Sequence, residues 1–223
     1  VVIPTRNESA NIAAAIRSAI AAGAAEVIVA DAGSHDDTVE QATRAGAHKI
    51  VRSLPGRGTQ QNSGAMMATA NWLLFLHADN RLAPDCLVQI SNHPKIQAKT
   101  AVWGAFQQHI DSPKRIYRAI EWGNAARVRW RSMAFGDQAI FVRRDVFKRI
   151  GGFDDIPLME DVRISQKLRK QSKPLLLPGP LQISARRWEQ NGPVRQTLIN
   201  WRLQFAHATG TRPEELARRY ESR

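Results

Sequence analysis

The chain has 223 residues, of which 43% are hydrophobic and 23% charged, a composition that fits one generous globular domain and excludes disordered, collagen-like and coiled-coil classes. Lysine and arginine number 32 against 20 aspartate and glutamate, and the resulting +12 lies wholly in the second half: residues 1–112 hold 9 basic and 9 acidic side chains, residues 113–223 hold 23 and 11. Such an excess points to an anionic partner, whether nucleic acid, an anionic membrane face or a phosphate-bearing substrate. Cys86 is the single cysteine, which excludes an internal disulfide and a cysteine-based zinc cage. Its setting on an apolar helix face reads as a buried structural thiol. The longest clear apolar run, residues 72–76, is far short of the about 20 residues of a membrane-spanning helix. No signal peptide is evident, and the expected location is cytoplasmic; the first residues read as a strand already under way, so a few residues are expected to be missing at the start.

In chain order, residues 1–3 form a β-branched strand ending at Pro4, and residues 11–22 place Ile12, Ile16 and Ile20 at helical spacing before Gly23. A second strand over 26–30 leads into the turn-rich residues 31–37 and a helix to about Ala45. A strand at 48–52, a helix at 59–70 and a strand at 72–76 complete four alternations in the first 80 residues. That rhythm predicts a mostly parallel sheet flanked by helices, with strands apolar enough to be buried on both faces. Beyond Pro84 the pattern loosens: a helix to about Ser91, a strand at 100–110, a basic helix at 114–131, a strand at 138–142, a short helix ending at Gly151-Gly152, a helix at 159–170, two short strands at 175–177 and 181–184, and helices starting at Pro193 and Pro213. The second half reads as an elaboration of the same sheet. One domain over 1–223 is expected, in three parts at 1–112, 113–190 and a C-terminal helical extension at 191–223.

Ligands of open parallel sheets sit beyond the carboxyl ends of the strands. Four polar clusters fall there in succession: Thr5-Arg-Asn-Glu8, Asp31 to Asp37, Pro55-Gly-Arg-Gly58 and His77-Ala-Asp79. Each alone is also what a turn with a helix cap looks like, and capping is the simpler account of Ser9, Asp36 and Asp37. Neither Gly-x-Gly-x-x-Gly nor a P-loop is present, which argues against a dinucleotide-binding dehydrogenase and a P-loop enzyme. A strand-end carboxylate that holds a divalent metal, which in turn holds a diphosphate, remains. Mg²⁺ or Mn²⁺ suits this, because either keeps several waters and needs only one or two protein oxygens.

Val-Val-Ile-Pro-Thr-Arg-Asn-Glu, Val-Ala-Asp-Ala-Gly-Ser-His-Asp-Asp-Thr, Leu-Phe-Leu-His-Ala-Asp-Asn, Gly-Gly-Phe followed by Met-Glu-Asp-Val, and Ser-Ala-Arg-Arg-Trp occur in that order. Together they resemble glycosyltransferase family 2, over residues 1 to about 220, and more narrowly the small bacterial branch of radical-SAM/selenodomain-associated transferases. The resemblance implies a single-domain GT-A-like, Rossmann-like fold and an inverting transfer of a sugar from a nucleotide-diphospho-sugar donor to an unidentified acceptor. It implies that Thr5 and Glu8 line the nucleotide pocket, that Asp31 contacts base or ribose, and that Arg57 and Gly58 approach base or phosphates. Asp79 then stands as metal ligand, Asp161 as the leading catalytic base with Glu160 beside it, and Arg187-Trp188 as a contact to diphosphate or acceptor, assisted by Arg186. Two positions depart from the family pattern. Ala32 replaces an aspartate that commonly helps read the base, and His77 replaces the first aspartate of the metal motif, where it can contact ribose or diphosphate, close the loop or ligate Mn²⁺.

Two other classes compete. A nucleotidyltransferase would carry a glycine-rich signature where this chain has Thr-Arg-Asn-Glu. A nucleic-acid-binding module would use the +12 but shows no recognised motif and only 7% aromatic residues, so no nucleic-acid partner is expected. The segment 196–205, with Leu198, Trp201, Leu203 and Phe205 beside Arg202, has three uses open to it: packing within the domain, pairing with a second copy, or resting on an anionic bilayer at the inner face of the membrane.

Overall fold

A computed structural model describes residues 1–221, and within that range the side chains of Arg187, Gln190, Asn191, Ala208, Arg219, Tyr220 and Glu221 lie outside the described set. The first half alternates as the apolar runs dictate. Strands β1 (Val2–Thr5), β2 (Ile28–Asp31) and β3 (Lys49–Arg52) pair in parallel in that order, linked by helices α1 (Ile12–Ala21) and α2 (Thr38–Arg44). β1 and β2 are buried at every residue, whereas β3, at the edge, is only partly covered. Helix α3 (Arg57–Met66) then crosses against β1, close enough that a Cβ at Gly64 would stand 2.4 Å from Val2 Cγ1.

A bridge from Val2 to Phe75, with the Leu76 N–H donating to the Val2 carbonyl at 2.9 Å, joins this parallel unit to a second sheet. There the order is β4 (Trp72–Leu74), β7 (Phe141–Arg143), β6 (Trp103–Ile110), β8 (Leu175–Ile183) and β5 (Asn80–Leu82). β6 and β8 are parallel, and the other three pairings are antiparallel. The two strands expected at 175–177 and 181–184 are one strand. Pro178-Gly179-Pro180 interrupts the ladder and shifts its register between Phe106 and Gln108, but the Gln89 side chain of α4 (Cys86–Asn92) replaces the missing bonds by accepting from the Gly179 N–H at 2.9 Å and donating to its carbonyl at 2.7 Å. β5 escapes periodicity because three residues define it only through their pairing with β8.

Apolar side chains from both sheets and from α1 fill the core, including Ile3, Ile16, Val29, Phe106 and Phe141. Cys86 is fully buried, and burial pushes its thiol up to about 11, so it is a structural thiol as its context suggests. Helix α6 (Arg115–Arg131), which in the chain follows the short α5 (Pro94–Gln97) and precedes the short α7 (Arg144–Arg149), lies along β6, and α8 (Glu160–Leu168) follows a loop anchored on α3. That anchor is Asn62, which donates to the Phe153 carbonyl at 2.9 Å and accepts from its N–H at 3.0 Å. The chain closes with α9 (Arg186–Asn191), α10 (Pro193–Ala208) and α11 (Pro213–Glu221). Leu203 of α10 and Leu216 of α11 pack with Met159 and Val162, so the C-terminal helices cover the start of α8. Among the described residues, no helix is long and apolar enough to cross a membrane.

Candidate active site

A cavity of about 650 Å³ opens beyond the carboxyl ends of β1 and β4, where an open α/β sheet is expected to bind its ligand. Thr5, Glu8, Arg57, His77, Asp79, Glu160, Asp161 and Trp188, eight of the residues singled out in the sequence, line it. Two others do not. Asp31 spends its carboxylate on its own turn, accepting from the Gly33 and Ser34 N–H groups at 3.0 Å each and from the Ser34 hydroxyl at 2.5 Å. Gly58 is a packing position, since a Cβ there would stand 2.5 Å from the Asp154 carbonyl and 3.5 Å from Glu160 Cβ. The side chain of Arg187 lies outside the described residues.

The polar strand ends are rigidly held. Gln60, buried in α3, donates to the Thr5 carbonyl at 2.8 Å and the Ala30 carbonyl at 3.0 Å, tying the ends of β1 and β2 together. The Glu8 N–H donates to the Thr38 hydroxyl at 2.7 Å, and the Glu8 carboxylate accepts from Asn11 at 2.8 Å. Two buried polar atoms at the cavity wall, Thr5 Oγ1 and Trp188 Nε1, have no hydrogen-bond partner among the described residues. Native proteins rarely leave such groups unsatisfied, so each is a contact available to a bound molecule. The Trp188 ring is fixed edge-on to Tyr117 of α6 at 6.3 Å between centroids.

Glu160 and Asp161 open α8, where the helix dipole favours negative charge. Their environments differ. Glu160 is buried, 3.4 Å from the Arg57 guanidinium; burial first and the neighbouring Asp161 charge second push its carboxyl up to about 7, against the pull of Arg57. Asp161 is partly exposed to the cavity, accepting from the Gly136 N–H at 2.9 Å and the Val162 N–H at 2.7 Å. A Cβ on Gly136 would stand 2.7 Å from His77 Nε2 and 3.6 Å from Asp161 Oδ2, so this glycine brings the strand-end histidine and the helix-start carboxylate to one wall.

Several lining residues carry no sequence signal. Arg127 of α6 faces the cavity among Asn124, Phe135 and Asp137. Its guanidinium lies 3.5 Å from the centre of the Phe135 ring and donates to Asn124 at 2.9 Å and to Gln138 at 2.8 Å. Burial lowers its pKa from the usual arginine value, opposed by the charges of Asp137 and Asp161. In sequence it sits among other arginines in a helix that reads as a basic surface element. His207 of α10 lies near the same carboxylate: burial and then Arg163 lower its pKa, while Asp161 opposes them.

Among the described residues no three histidine, cysteine, aspartate or glutamate side chains are grouped as a metal cage. The cavity wall offers the Asp79 carboxylate at the strand end, near the His77 imidazole and the Asp161 carboxylate. That fits Mg²⁺ or Mn²⁺, which take one or two carboxylates and complete their shells with water and phosphate oxygens.

The family described as Glycosyl transferase family 2 matches residues 1–153. An uncharacterized glycosyltransferase of Rickettsia prowazekii is 41% identical over 83 residues, 37% of this chain and 28% of the relative, and one of Rickettsia felis is 39% identical over 83 residues, 37% and 29% respectively. The matched segment thus spans under a third of these relatives' length. Among solved structures, Staphylococcus aureus TarS 1–349 superposes with a TM-score of 0.63 at 15% identity, covering 82% of this chain and 59% of that one. Glucosyl-3-phosphoglycerate synthase of Mycobacterium tuberculosis, in complex with Mn²⁺, uridine diphosphate and glucosyl-3-phosphoglycerate, superposes with a TM-score of 0.54 at 17% identity, covering 82% and 68%. These structures share the GT-A fold, a sheet flanked by helices, with this chain. With the family match extending over more than half its length, the chain belongs to glycosyl transferase family 2.

Proposed function

We propose that the chain transfers a sugar, with inversion, from a nucleoside diphosphate sugar to the nucleophilic group of an acceptor. The observation that carries this reading is the Asp161 carboxylate, fixed by the Gly136 N–H at 2.9 Å at the wall of a cavity also lined by the strand ends of β1 and β4. In such a displacement the acceptor attacks the anomeric carbon, its proton passes to Asp161, and the bond from that carbon to the diphosphate oxygen breaks with its electron pair leaving on the diphosphate. One attack from the face opposite the leaving group inverts the centre and needs no covalent sugar–enzyme intermediate. Asp161 is the better base of the acidic pair because it faces the cavity, whereas Glu160 is buried against Arg57.

Asp79 is the residue to hold a divalent metal, which when bound would neutralise charge on the departing diphosphate. Arg57 supplies further positive charge on the same wall, and Thr5 and Trp188 supply hydrogen-bonding atoms. Solved relatives of the fold support the donor class, since TarS has been crystallised in complex with UDP-GlcNAc and the mycobacterial synthase with Mn²⁺ and uridine diphosphate. The test is a thermal-shift series of nucleotide sugars with and without Mn²⁺, because a ligand of the native state raises its melting temperature. At least one donor is expected to raise Tm, with the Mn²⁺-dependent part lost in Asp79→Ala. Absence of any shift across uridine, guanosine, thymidine, cytidine and adenosine diphosphate sugars would overturn the reading.

A further inference from the structure

The proposed transfer leaves the arginine surplus unused, and four strongly exposed aromatic side chains, Trp122, Trp130, Trp201 and Phe205, lie on the two helices α6 and α10. On α10, Val194, Leu198, Trp201 and Phe205 recur at intervals of four, three and four residues, which places them on one helical stripe. The stripe faces outward: Trp201 is 63% and Phe205 72% exposed, while Gln196 and Leu203 on the opposite side are buried. Exposed Arg195 and Arg202 line one edge of it, and no acidic residue occurs between Pro193 and Ala208. Helix α6 repeats the combination. Trp122 and Trp130 are 65% and 75% exposed and meet edge to face at 5.9 Å, with Arg115, Arg118, Arg129 and Arg131 exposed on the same helix against the single acid Glu121. The end of α6 comes close to α10, because Met133 and Phe135 just beyond it pack on the cluster that contains Leu203.

We propose that the outward face of α10, together with the tryptophan pair of α6, docks on an anionic lipid bilayer. Exposed tryptophan and phenylalanine rimmed by arginine match the lipid–water boundary, where aromatic rings sit at headgroup depth and cations meet anionic headgroups. A protein partner of ordinary composition would need a dense acidic rim to match this face; an anionic bilayer supplies one everywhere. Trp201 belongs to the stripe and also lines the cavity, so a molecule held at the bilayer surface lies beside the opening to the proposed site. Docking itself does not depend on the transfer reaction.

Vesicle flotation tests this with the whole chain and two double variants, Leu198→Gln/Phe205→Gln and Arg195→Gln/Arg202→Gln, all four positions being exposed. The wild type is expected to float with vesicles of mixed phosphatidylcholine and phosphatidylglycerol at low salt and to stay below with phosphatidylcholine alone. At about fivefold per cation, losing two arginines lowers partitioning about thirtyfold. The Leu198/Phe205 variant is expected to lose binding as well, with an unchanged circular dichroism spectrum and Tm. Failure of the wild type to float, equal binding to neutral vesicles, or variants that bind like the wild type would each overturn the proposal. So would concentration-dependent dimerisation abolished by the Leu198/Phe205 pair without flotation, which would assign the stripe to a second copy of the chain.

Discussion

The Gly136 N–H donates to Asp161 Oδ2 at 2.9 Å and, with the Val162 N–H on the other carboxylate oxygen, orients the carboxylate at the start of α8 against the loop that follows α6. The same glycine leaves room for the His77 ring, whose Nε2 would be 2.7 Å from any Cβ placed there. Gly136→Ala must therefore displace either the imidazole or the loop that carries the donor. Because displacements near 1 Å can cost about 100-fold in rate, kcat is expected to fall by roughly tenfold or more, with Tm within a few degrees of the wild type. Steady-state kinetics with a matched thermal melt measure both; an unchanged kcat would separate the Gly136–Asp161 register from catalysis.

Asp161→Asn keeps the side-chain shape and removes the proton acceptor. General-base catalysis is worth about 100-fold or more, so kcat is expected to fall by at least that factor while donor affinity stays near the wild-type value. A loss below about tenfold would pass the role to another group, and Glu160→Gln tested beside it identifies whether its neighbour is that group.

Glu160 makes the stability of the fold depend on pH with a definite sign. Its carboxyl is raised from 4.5 to about 7 by burial and by Asp161, so the folded state holds more protons than the unfolded chain between those values. The associated stabilisation is complete below about pH 4.5 and is lost as pH rises through about 7. Glu160→Gln carries no titrating proton. Melting curves at pH 5 and pH 8 are expected to show the variant gaining on the wild type at the higher pH, and parallel pH dependences would show that Glu160 titrates like a solvated carboxylate.

The parts of this arrangement that were legible in the sequence are those encoded locally. β1 and β2 are short β-branched runs, α1 repeats isoleucine at four-residue spacing, and polar clusters after β1 and β4 mark the strand ends that border the cavity. The second sheet was harder to read, because β5, β7 and β8 are defined by antiparallel or distant pairing and not by their own periodicity. Arg127 and Asn124 were hidden for a related reason. They share one face of α6 with Ile120, and residues far away in sequence, among them Gln196, Asn200 and Trp201, complete the cavity that this face lines. Asp31 and Gly58 illustrate the converse, polar or glycine positions at strand ends whose immediate demand is a turn and a close backbone approach.

Gln60 offers a test of how firmly the strand ends are held. Its amide donates to the carbonyls of Thr5 and Ala30 at 2.8 and 3.0 Å from a buried position, so it joins two neighbouring strands where both leave the sheet. Leucine fills a similar volume without either bond. The Thr5 carbonyl keeps the Ala32 N–H at 3.1 Å, which limits the penalty to lost bonds and spares it a fully stranded oxygen. At ~1 kcal/mol per bond Gln60→Leu is expected to cost about 2 kcal/mol. For a chain of this size that is a fall in Tm of about 4–8 °C by calorimetry. A fall below about 1 °C would mean that the β1 and β2 ends are held by the ladder alone, and nucleotide binding at that edge would then be insensitive to this substitution.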